Sequence, residues 1–248
     1  MKGTRGVVGL HAAREVLKVR PRSISRFVLK SDYESSAAHV ELADFAQKFG
    51  IKIEKQNAGF LDRIALHHQG VFIETAESPK LNWSNLKNLE KSCLIALDGL
   101  EDIMNLGAIV RTSWLFEVDG ILLPETRSAT VTPAVAKVAS GGVEHVPIET
   151  VSNLVNPLKD LKEQGYWVFG LAEKGAQSLW KTKIPDKVIW VTGAEDKGMR
   201  STVQGVCDQI IAIPQAESGS SFNASVATAI VLAETRRQRS ESADKNKD

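Results

Sequence analysis

Apolar residues recur along the first part of the chain with two different spacings. Residues 9–20 and 35–49 carry them at the spacing of one helix face, and Gly50 stands where a helix commonly ends. Between and after these helical patterns lie short apolar segments that predict strands, at residues 26–29, 51–54 and 70–75. Residues 1–76 are therefore predicted to form a small α/β domain.

The later part of the chain has uninterrupted apolar runs, which are typical of strands covered on both faces in a parallel sheet. These runs are residues 93–97, 120–123, 166–169, 188–191 and 209–213. Helical patterns separate them, at residues 106–117, 131–140, 152–164 and 224–239. Strands that alternate with helices in this way predict an open α/β fold with a mainly parallel sheet.

Two segments fit neither pattern. Residues 77–91 are polar, include Pro79 and several Asn and Ser residues, and are predicted to link two domains. Residues 241–248 are rich in charged residues and are predicted to form a disordered tail. The second domain is then expected to span residues 92–240.

The distribution of charge is more informative than the composition, which is ordinary for a globular protein at 43% hydrophobic and 25% charged residues. The formal net charge is only +1, yet residues 1–30 hold eight basic residues against one acid, Glu15. Clustered cations attract polyanions such as an RNA backbone, but a solvated surface can have the same composition. Charge alone leaves both interpretations open.

The two cysteines, Cys93 and Cys207, lie far apart, and neither a CxxC pair nor closely spaced histidines accompany them. We therefore expect neither a disulfide framework nor a metal site. No apolar run approaches the roughly 20 residues of a membrane-spanning helix. The N-terminal residues also lack the apolar region of a signal peptide. These features predict a soluble, cytoplasmic protein without a membrane partner.

Candidate chemistry lies where predicted strands end, because ligands of open α/β sheets bind outside the carboxyl ends of the strands. Asp98 ends one strand, and Asn105 and Arg111 follow it. Asn105 would suit a helix N-cap. Arg111 lies in an apolar helical stretch, where it needs a partner, either a structural carboxylate or a bound phosphate.

Two further candidates follow later strands. Gly193-Ala-Glu-Asp-Lys-Gly198 has the glycine spacing of a phosphate-binding loop but lacks its Lys and Ser/Thr, which excludes Walker-type nucleotide binding. Glu195 is either a carboxylate beside a ligand or an acid at a helix start. Ser221 and Asn223 precede the last helical pattern, where capping would explain them and where an anionic group could also bind.

In this order, Asn105–Arg111, Gly193–Met199 and Ile213–Asn223 resemble the three signature motifs of the SpoU/TrmH family of RNA 2'-O-ribose methyltransferases. Gly9-Leu-His-Ala-Ala-Arg14 and His68-Gln-Gly70 also resemble one branch, which methylates a guanosine of bacterial 23S rRNA. The resemblance implies a small ribosomal-protein-like α/β RNA-binding domain, followed by a knotted (trefoil) α/β SPOUT methyltransferase domain. It also implies S-adenosylmethionine as the methyl donor, no metal, RNA as the partner and a homodimer.

The resemblance further implies roles for individual residues. The cofactor would lie against Gly193, Ile213 and Phe222. The catalytic positions would be Asn105, Arg111, Glu195, Ser221 and Asn223. Contacts to RNA would come from Arg5, His11, Arg14, Arg20, Arg22 and His68. Because a guanidinium stays protonated, we expect Arg111 to bind the target phosphate and to stabilise the developing 2'-oxyanion.

Three positions depart from the family pattern. Phe222 stands where Leu is usual, Ile103-Met104 replaces Pro plus a polar residue, and Trp114-Leu-Phe116 replaces smaller residues. All five polar positions are present, so the expected function is 2'-O-ribose methylation of structured RNA, foremost a guanosine of 23S rRNA. The alternatives are a tRNA 2'-O-methyltransferase of the same family and a non-catalytic RNA-binding or ribosome-assembly factor.

Overall fold

The computed structural model describes residues 3–65, 67–216 and 219–245 and divides the chain into two compact units. The first unit comprises the chain up to Pro79 together with Thr130–His145, and the second comprises Lys80–Ala129 and the chain from Val146 onward. Residues 246–248 of the predicted tail, and Glu217 and Ser218 of the third motif, lie outside the described residues.

The first unit is built around a four-stranded sheet. Its strands are β1 (Thr4–Val8), β2 (Ile24–Lys30), β3 (Ile53–Gln56) and β4 (Val71–Ala76). They lie in the order β1-β4-β2-β3, in which only β2 and β3 are parallel. The helices are α1 (Leu10–Val19), α2 (Ala37–Lys48), α3 (Ala58–Asp62) and a helix at Pro133–Val138. Leu17, Phe27 and Leu42 are buried in its core, which confirms the predicted small α/β fold.

A buried ion cluster holds the inserted segment 130–145 within the first unit. Glu144, whose side chain is 1% exposed, accepts hydrogen bonds from the guanidinium groups of Arg5 and Arg20. Arg20 also donates to the carbonyl oxygen of Glu77 at 2.6 Å. A buried carboxylate is costly without compensating charge, so the two arginines explain how Glu144 can occupy this position.

The second unit contains a seven-stranded sheet whose neighbouring strands are all parallel. Its order is β7-β6-β5-β10-β8-β11-β9. The strands are β5 (Ser92–Asp98), β6 (Gly120–Pro124), β7 (Ile148–Val151), β8 (Trp167–Leu171), β9 (Gln177–Ser178), β10 (Lys187–Gly193) and β11 (Gln209–Ala212). The predicted parallel α/β sheet is therefore confirmed, whereas the trefoil knot stays a prediction.

Helices of the second unit frame this sheet. They are α4 (Trp83–Leu86), α5 (Ile103–Leu115), α7 (Val155–Glu163), α8 (Ser201–Gln204) and α9 (Ala224–Lys245), and the helix Pro133–Val138 of the first unit is α6. Strands β5 and β6 are buried at every residue, and β10 is buried between its two end residues, as the apolar runs predicted. Trp190 of β10 is fully buried, and its indole N–H donates to Thr235 of α9 at 3.0 Å.

Several segments differ from the sequence-based expectation. Within residues 77–91, predicted as a linker, Leu81 and Leu86 are buried in the core of the second unit. The helix α9 continues to Lys245, beyond the predicted end, where an ion pair between Arg237 and Glu241 joins successive turns. Strands β1, β7 and β9 have no long apolar run and were not predicted. Among the described residues, no helix is long and apolar enough to cross a membrane.

The Glu144 cluster leads to a stability prediction. Glu144→Gln removes the charge that compensates Arg5 and Arg20, so the free energy of unfolding should fall by roughly 3 kcal/mol. Glu41→Gln is the matched control, because Glu41 pairs with Arg14 on the surface of the same unit. It should change stability by less than about 1 kcal/mol. Urea unfolding of both variants measures the difference, and equal losses would contradict a structural role for the cluster.

Candidate active site

The first two motifs meet because two central strands end side by side. The strands β5 and β10 are parallel neighbours, and their last residues, Asp98 and Gly193, are paired across the sheet. The carboxyl ends of parallel strands lie at one edge, so the segments that follow both strands start from the same place. Gly99 and Ala194 adjoin there, since a Cβ on Gly99 would lie 3.7 Å from that of Ala194.

Asn105 lies in the first turn of α5 rather than at its N-cap. The N-cap is Asp102, whose side chain accepts a hydrogen bond from the backbone N–H of Met104 at 2.7 Å. The N-cap interpretation of Asn105 is thus wrong, because Asp102 occupies the N-cap position and Asn105 lies three residues inside the helix. Asn105 is 6% exposed and its amide is available for other contacts.

Glu195 lies at the tip of a tight loop that follows β10 and precedes no helix directly. Ala194 and Gly198 exchange two backbone hydrogen bonds, of 3.2 and 2.8 Å, which close the loop. Gly193 permits this fold, because a Cβ there would lie only 2.2 Å from the carbonyl carbon of Gly198. The alternative of a helix-start acid is therefore wrong, since α8 begins only at Ser201.

Asn223 caps the last helix, which confirms the capping interpretation, whereas binding of an anionic group at this helix start stays a prediction. The side-chain oxygen of Asn223 caps α9 by accepting from the backbone N–H groups of Ser225 and Val226, at 2.9 and 3.3 Å. Its Nδ2 donates to Glu195 Oε1 at 2.5 Å and to Asn105 Oδ1 at 2.9 Å. The residue is therefore both a helix cap and part of a polar cluster.

The three motifs thus converge on one oxygen atom. Glu195 Oε1 accepts from Asn105 Nδ2 at 2.8 Å, from Asn223 Nδ2, and from the backbone N–H of Ala224 at 3.3 Å. Because Asn105 Nδ2 must face the carboxylate, its Oδ1 is left to accept from Asn223, which fixes both amide orientations. No described residue donates a hydrogen bond to Oε2 of the exposed Glu195, so this oxygen is available to a substrate.

A cavity of about 480 Å³ lies beside this cluster, within the range of small-molecule sites. Gly193, Ile213 and Phe222, the three residues expected to contact a cofactor, all line it, and so does Ser221. The lining also includes Leu171–Glu173, the loop Ala194–Met199 and Gln215. Among its lining side chains are three carboxylates, those of Glu173, Glu195 and Asp196, and one amine, that of Lys197. This balance favours a cationic ligand.

Arg111 is a predicted catalytic residue that the structure brings neither to the cluster nor to the cavity lining, whereas Ser221 lies in the lining. Arg111 lies on an exposed face of α5 and makes no hydrogen bond or ion pair with any described residue. Neither the structural carboxylate that we considered for it nor a contact with Glu195 is present in the described part of the chain.

The residues expected to contact RNA fall into two groups. Arg5 and Arg20 are bound to the buried Glu144, and Arg14 is paired with Glu41. His11 and Arg22 are exposed. His68 accepts from the backbone N–H of Gly70 at Nδ1, which leaves Nε2 to donate to Asp62 at 3.1 Å.

Two features of the site escaped the sequence reasoning. The segment Leu171–Glu173 lines the cavity, and the rule that ligands bind beyond strand ends could have found it, because it follows β8. Arg200 is the other, since its guanidinium binds Asp98 across the strand ends. Nothing near Arg200 in the sequence indicates that partner.

Thiol or metal chemistry has no basis among the described residues. Burial raises the pKa of Cys93 to about 12 and that of Cys207 to about 11, so both thiols stay protonated near neutral pH. No group of three or more His, Cys, Asp or Glu residues in the described part of the chain could hold a metal ion.

Open α/β sheets with loops joined at the carboxyl edge serve many functions, so the class of enzyme follows from the family models that match the chain. The model of the SpoU rRNA methylase family matches residues 92–233, and that of the RNA 2'-O ribose methyltransferase substrate-binding family matches residues 7–81. The chain belongs to the SpoU family and is an RNA 2'-O-methyltransferase, which confirms the predicted resemblance.

Individual relatives match almost the whole chain. The 23S rRNA (guanosine-2'-O-)-methyltransferase RlmB of Neisseria meningitidis serogroup B is 36% identical over 96% of this chain and 97% of its own. RlmB of Pseudomonas aeruginosa is 36% identical over 94% and 96%. The fold is that of the SpoU methyltransferase AviRb from Streptomyces viridochromogenes, solved with AdoMet (TM-score 0.82, 19% identity, 96% of this chain and 91% of that one).

Gly193 provides a direct test of the loop. Gly193→Ala places a Cβ against the backbone of Gly198 and Met199, so we expect the free energy of unfolding to fall by about 1–3 kcal/mol. Gly205→Ala is the control, because Gly205 has helical backbone angles and only an ordinary contact at 3.4 Å. It should leave stability equal or raise it by up to about 1 kcal/mol. Urea unfolding decides, and a harmless Gly193→Ala would refute the close loop packing.

Proposed function

We propose that this enzyme transfers a methyl group from S-adenosylmethionine to the ribose 2'-hydroxyl of a guanosine in 23S rRNA. The observation that carries the proposal is the convergence of Asn105, Glu195 and Asn223 on one carboxylate oxygen beside a ligand-sized cavity. The RlmB relatives support the substrate, since they match both units at 33–36% identity over 94–96% of the chain. An enzyme of this kind works in the cytoplasm, on ribosomal RNA.

The cavity fits the proposed cofactor in size and charge. Gly193, Ile213 and Phe222 would hold it, with the cavity's surplus of carboxylates facing a ligand that carries a sulfonium and an ammonium group. When bound, S-adenosylmethionine supplies an already activated methyl group on sulfur. The protein's task is therefore to place the ribose oxygen in line and to favour the loss of its proton.

We propose that Glu195 accepts a hydrogen bond from the substrate hydroxyl. Its Oε1 is occupied by amide donors, which fix the side chain, while Oε2 of this exposed residue accepts no hydrogen bond from a described residue. The free oxygen can accept a hydrogen bond from the ribose 2'-OH and so orient it. Ser221, exposed on the cavity wall, is placed to contribute a second polar contact.

We further propose a homodimer in which Arg111 serves the site of the partner subunit. Six residues along a helix correspond to a rotation of roughly 240°, so Arg111 and Asn105 leave α5 in different directions. Arg111 therefore does not face its own cluster. Leu115 of α5 and Val226 of the adjoining α9 are 66% and 45% exposed, which gives this surface the apolar character of an interface.

The RNA surface of the first unit is proposed to use exposed groups. Arg22 and His11 are exposed, and Arg14 and His68 are partly exposed. Arg5 and Arg20 instead form ion pairs with the buried Glu144. These latter two would support RNA binding by holding the unit together. Phosphate contacts of this kind give affinity that falls with salt, and selection of one guanosine requires RNA shape as well.

A tRNA substrate is the second candidate. A TrmH/SpoU tRNA modifying enzyme of A. aeolicus shares 26% identity and a TM-score of 0.56. That match covers only 64% of this chain, whereas the RlmB relatives cover at least 94%. The additional N-terminal unit therefore favours ribosomal RNA.

A methyl-transfer assay tests both the RNA substrate and the site of methylation. Tritium from labelled S-adenosylmethionine should enter the 23S fraction of undermodified total RNA and survive as an alkali-resistant dinucleotide, because a methylated 2'-oxygen cannot attack the adjacent phosphate. Asn105→Ala should abolish transfer, with its fold checked by circular dichroism. Label in tRNA would overturn the substrate, and a protein that neither labels RNA nor binds the cofactor would be the non-catalytic factor.

Mixed dimers of two variants test whether Arg111 acts on the site of the partner subunit. Arg111→Ala and Glu195→Gln homodimers should both be inactive, yet purified heterodimers of the two should regain about half of the wild-type activity. Each such heterodimer contains one complete site if Arg111 acts on the partner subunit, and none if it acts within its own subunit. Differently tagged subunits, co-expressed and purified in two steps, provide the sample. An inactive heterodimer would refute the shared site.

A further inference from the structure

A buried carboxylate at the strand ends has no place in the chemistry described above. Asp98, the last residue of β5, is 1% exposed, and both of its oxygens are bound by one residue. Oδ2 accepts from the backbone N–H of Arg200 at 2.7 Å. Oδ1 accepts from the guanidinium of Arg200, with Nε at 2.6 Å and Nη2 at 2.5 Å.

This contact fixes the far end of the loop that carries Glu195. The loop leaves the sheet at Gly193, which is paired with Asp98, and returns at Arg200, which is bound to the same Asp98. The Ala194–Gly198 bridge closes the middle. A single aspartate therefore lies between the two ends of the loop and ties the return leg to the sheet edge.

The same loop forms one wall of the cavity. Residues 193–199 all line it, and Glu195 at the tip receives the amides of Asn105 and Asn223. Bonds to a charged, buried acceptor are stronger than those between neutral groups, so the Asp98 contact restrains this segment strongly. A site that must bind its ligand in one geometry gains when its loops are held beforehand.

We propose that Asp98 and Arg200 are a positioning pair, which holds the loop Gly193–Arg200 in the conformation that forms the cavity wall and presents Glu195. Neither residue is required to touch the substrate. The identity of the ligand rests on the proposed function, but the restraint on the loop does not. Two measurements can therefore separate the two claims.

The test compares Asp98→Asn with a matched substitution elsewhere in the second unit. Asp208→Asn is the control, because Asp208 likewise accepts from one backbone N–H, that of Val168 at 2.8 Å, and one cation, Lys162 at 2.8 Å. Asp208 precedes β11 and contacts the start of β8, at the opposite edge of the sheet from the cavity. Both variants lose one charge from an aspartate bound by a cation and a backbone N–H, with Asp208 22% exposed and Asp98 fully buried at the side chain.

The first readout is amide hydrogen exchange of the protein without cofactor. Residues 193–200 should exchange at least about tenfold faster in Asp98→Asn than in the wild type, and at the wild-type rate in Asp208→Asn. This result does not depend on any activity. Equal exchange in the loop of all three proteins would overturn the proposal, whatever the enzyme's ligand is.

The second readout is affinity and turnover. Calorimetry with S-adenosylmethionine should give a Kd about tenfold higher for Asp98→Asn, with kcat also reduced, while the KM for RNA stays near the wild-type value. Arg200→Lys should retain more affinity than Arg200→Met, since its amine still supplies a charge to Asp98. A loss shared equally by Asp208→Asn, or confined to the KM for RNA, would assign Asp98 a merely structural role or one in RNA binding.

Discussion

The parallel pairing of β5 with β10 is the constraint on which the active site depends. The two strands come from distant parts of the sequence, and their register alone places Asp98 beside Gly193. From that edge α5 carries Asn105, and the glycine loop carries Glu195, into hydrogen-bond distance. A shift of one residue would turn each side chain to the other face of the sheet, and the cluster could not form.

The hydrogen-bond partners of three carboxylates distinguish structural roles from roles at a ligand site. Glu144 and Asp98 are buried and bound by arginines, so their charge is fully compensated and their oxygens are occupied. Glu195 is exposed, its partners are neutral N–H groups, and they take only one of its oxygens. A buried carboxylate bound by arginines holds neighbouring segments of the fold together. A carboxylate bound by neutral N–H groups at one oxygen is fixed in place, and its other oxygen can still accept a hydrogen bond from a ligand.

The sequence predicted most of the fold because buried parallel strands must be continuously apolar, as 93–97 and 188–191 are. It did not predict the short strands β1, β7 and β9, which all contain polar residues, nor the burial of Leu81 and Leu86 in a polar segment. The motif residues could be named, but not their partners. Asp102, rather than Asn105, caps α5, and both residue types suit that position equally well.

The partners of the basic residues could not be predicted from the sequence either. Arg5, Arg20 and Arg200 all have a buried carboxylate within reach, and each is bound to it, although sequence alone made the first two look like an RNA surface. Arg22 and Arg111 have no such partner among the described residues. An arginine without an ion-pair partner on a folded surface has all of its guanidinium N–H groups available to bind a phosphate. Their availability therefore follows from where the acids lie in three dimensions, and the exposed guanidinium of Arg111 on α5 has no carboxylate bound to it among the described residues.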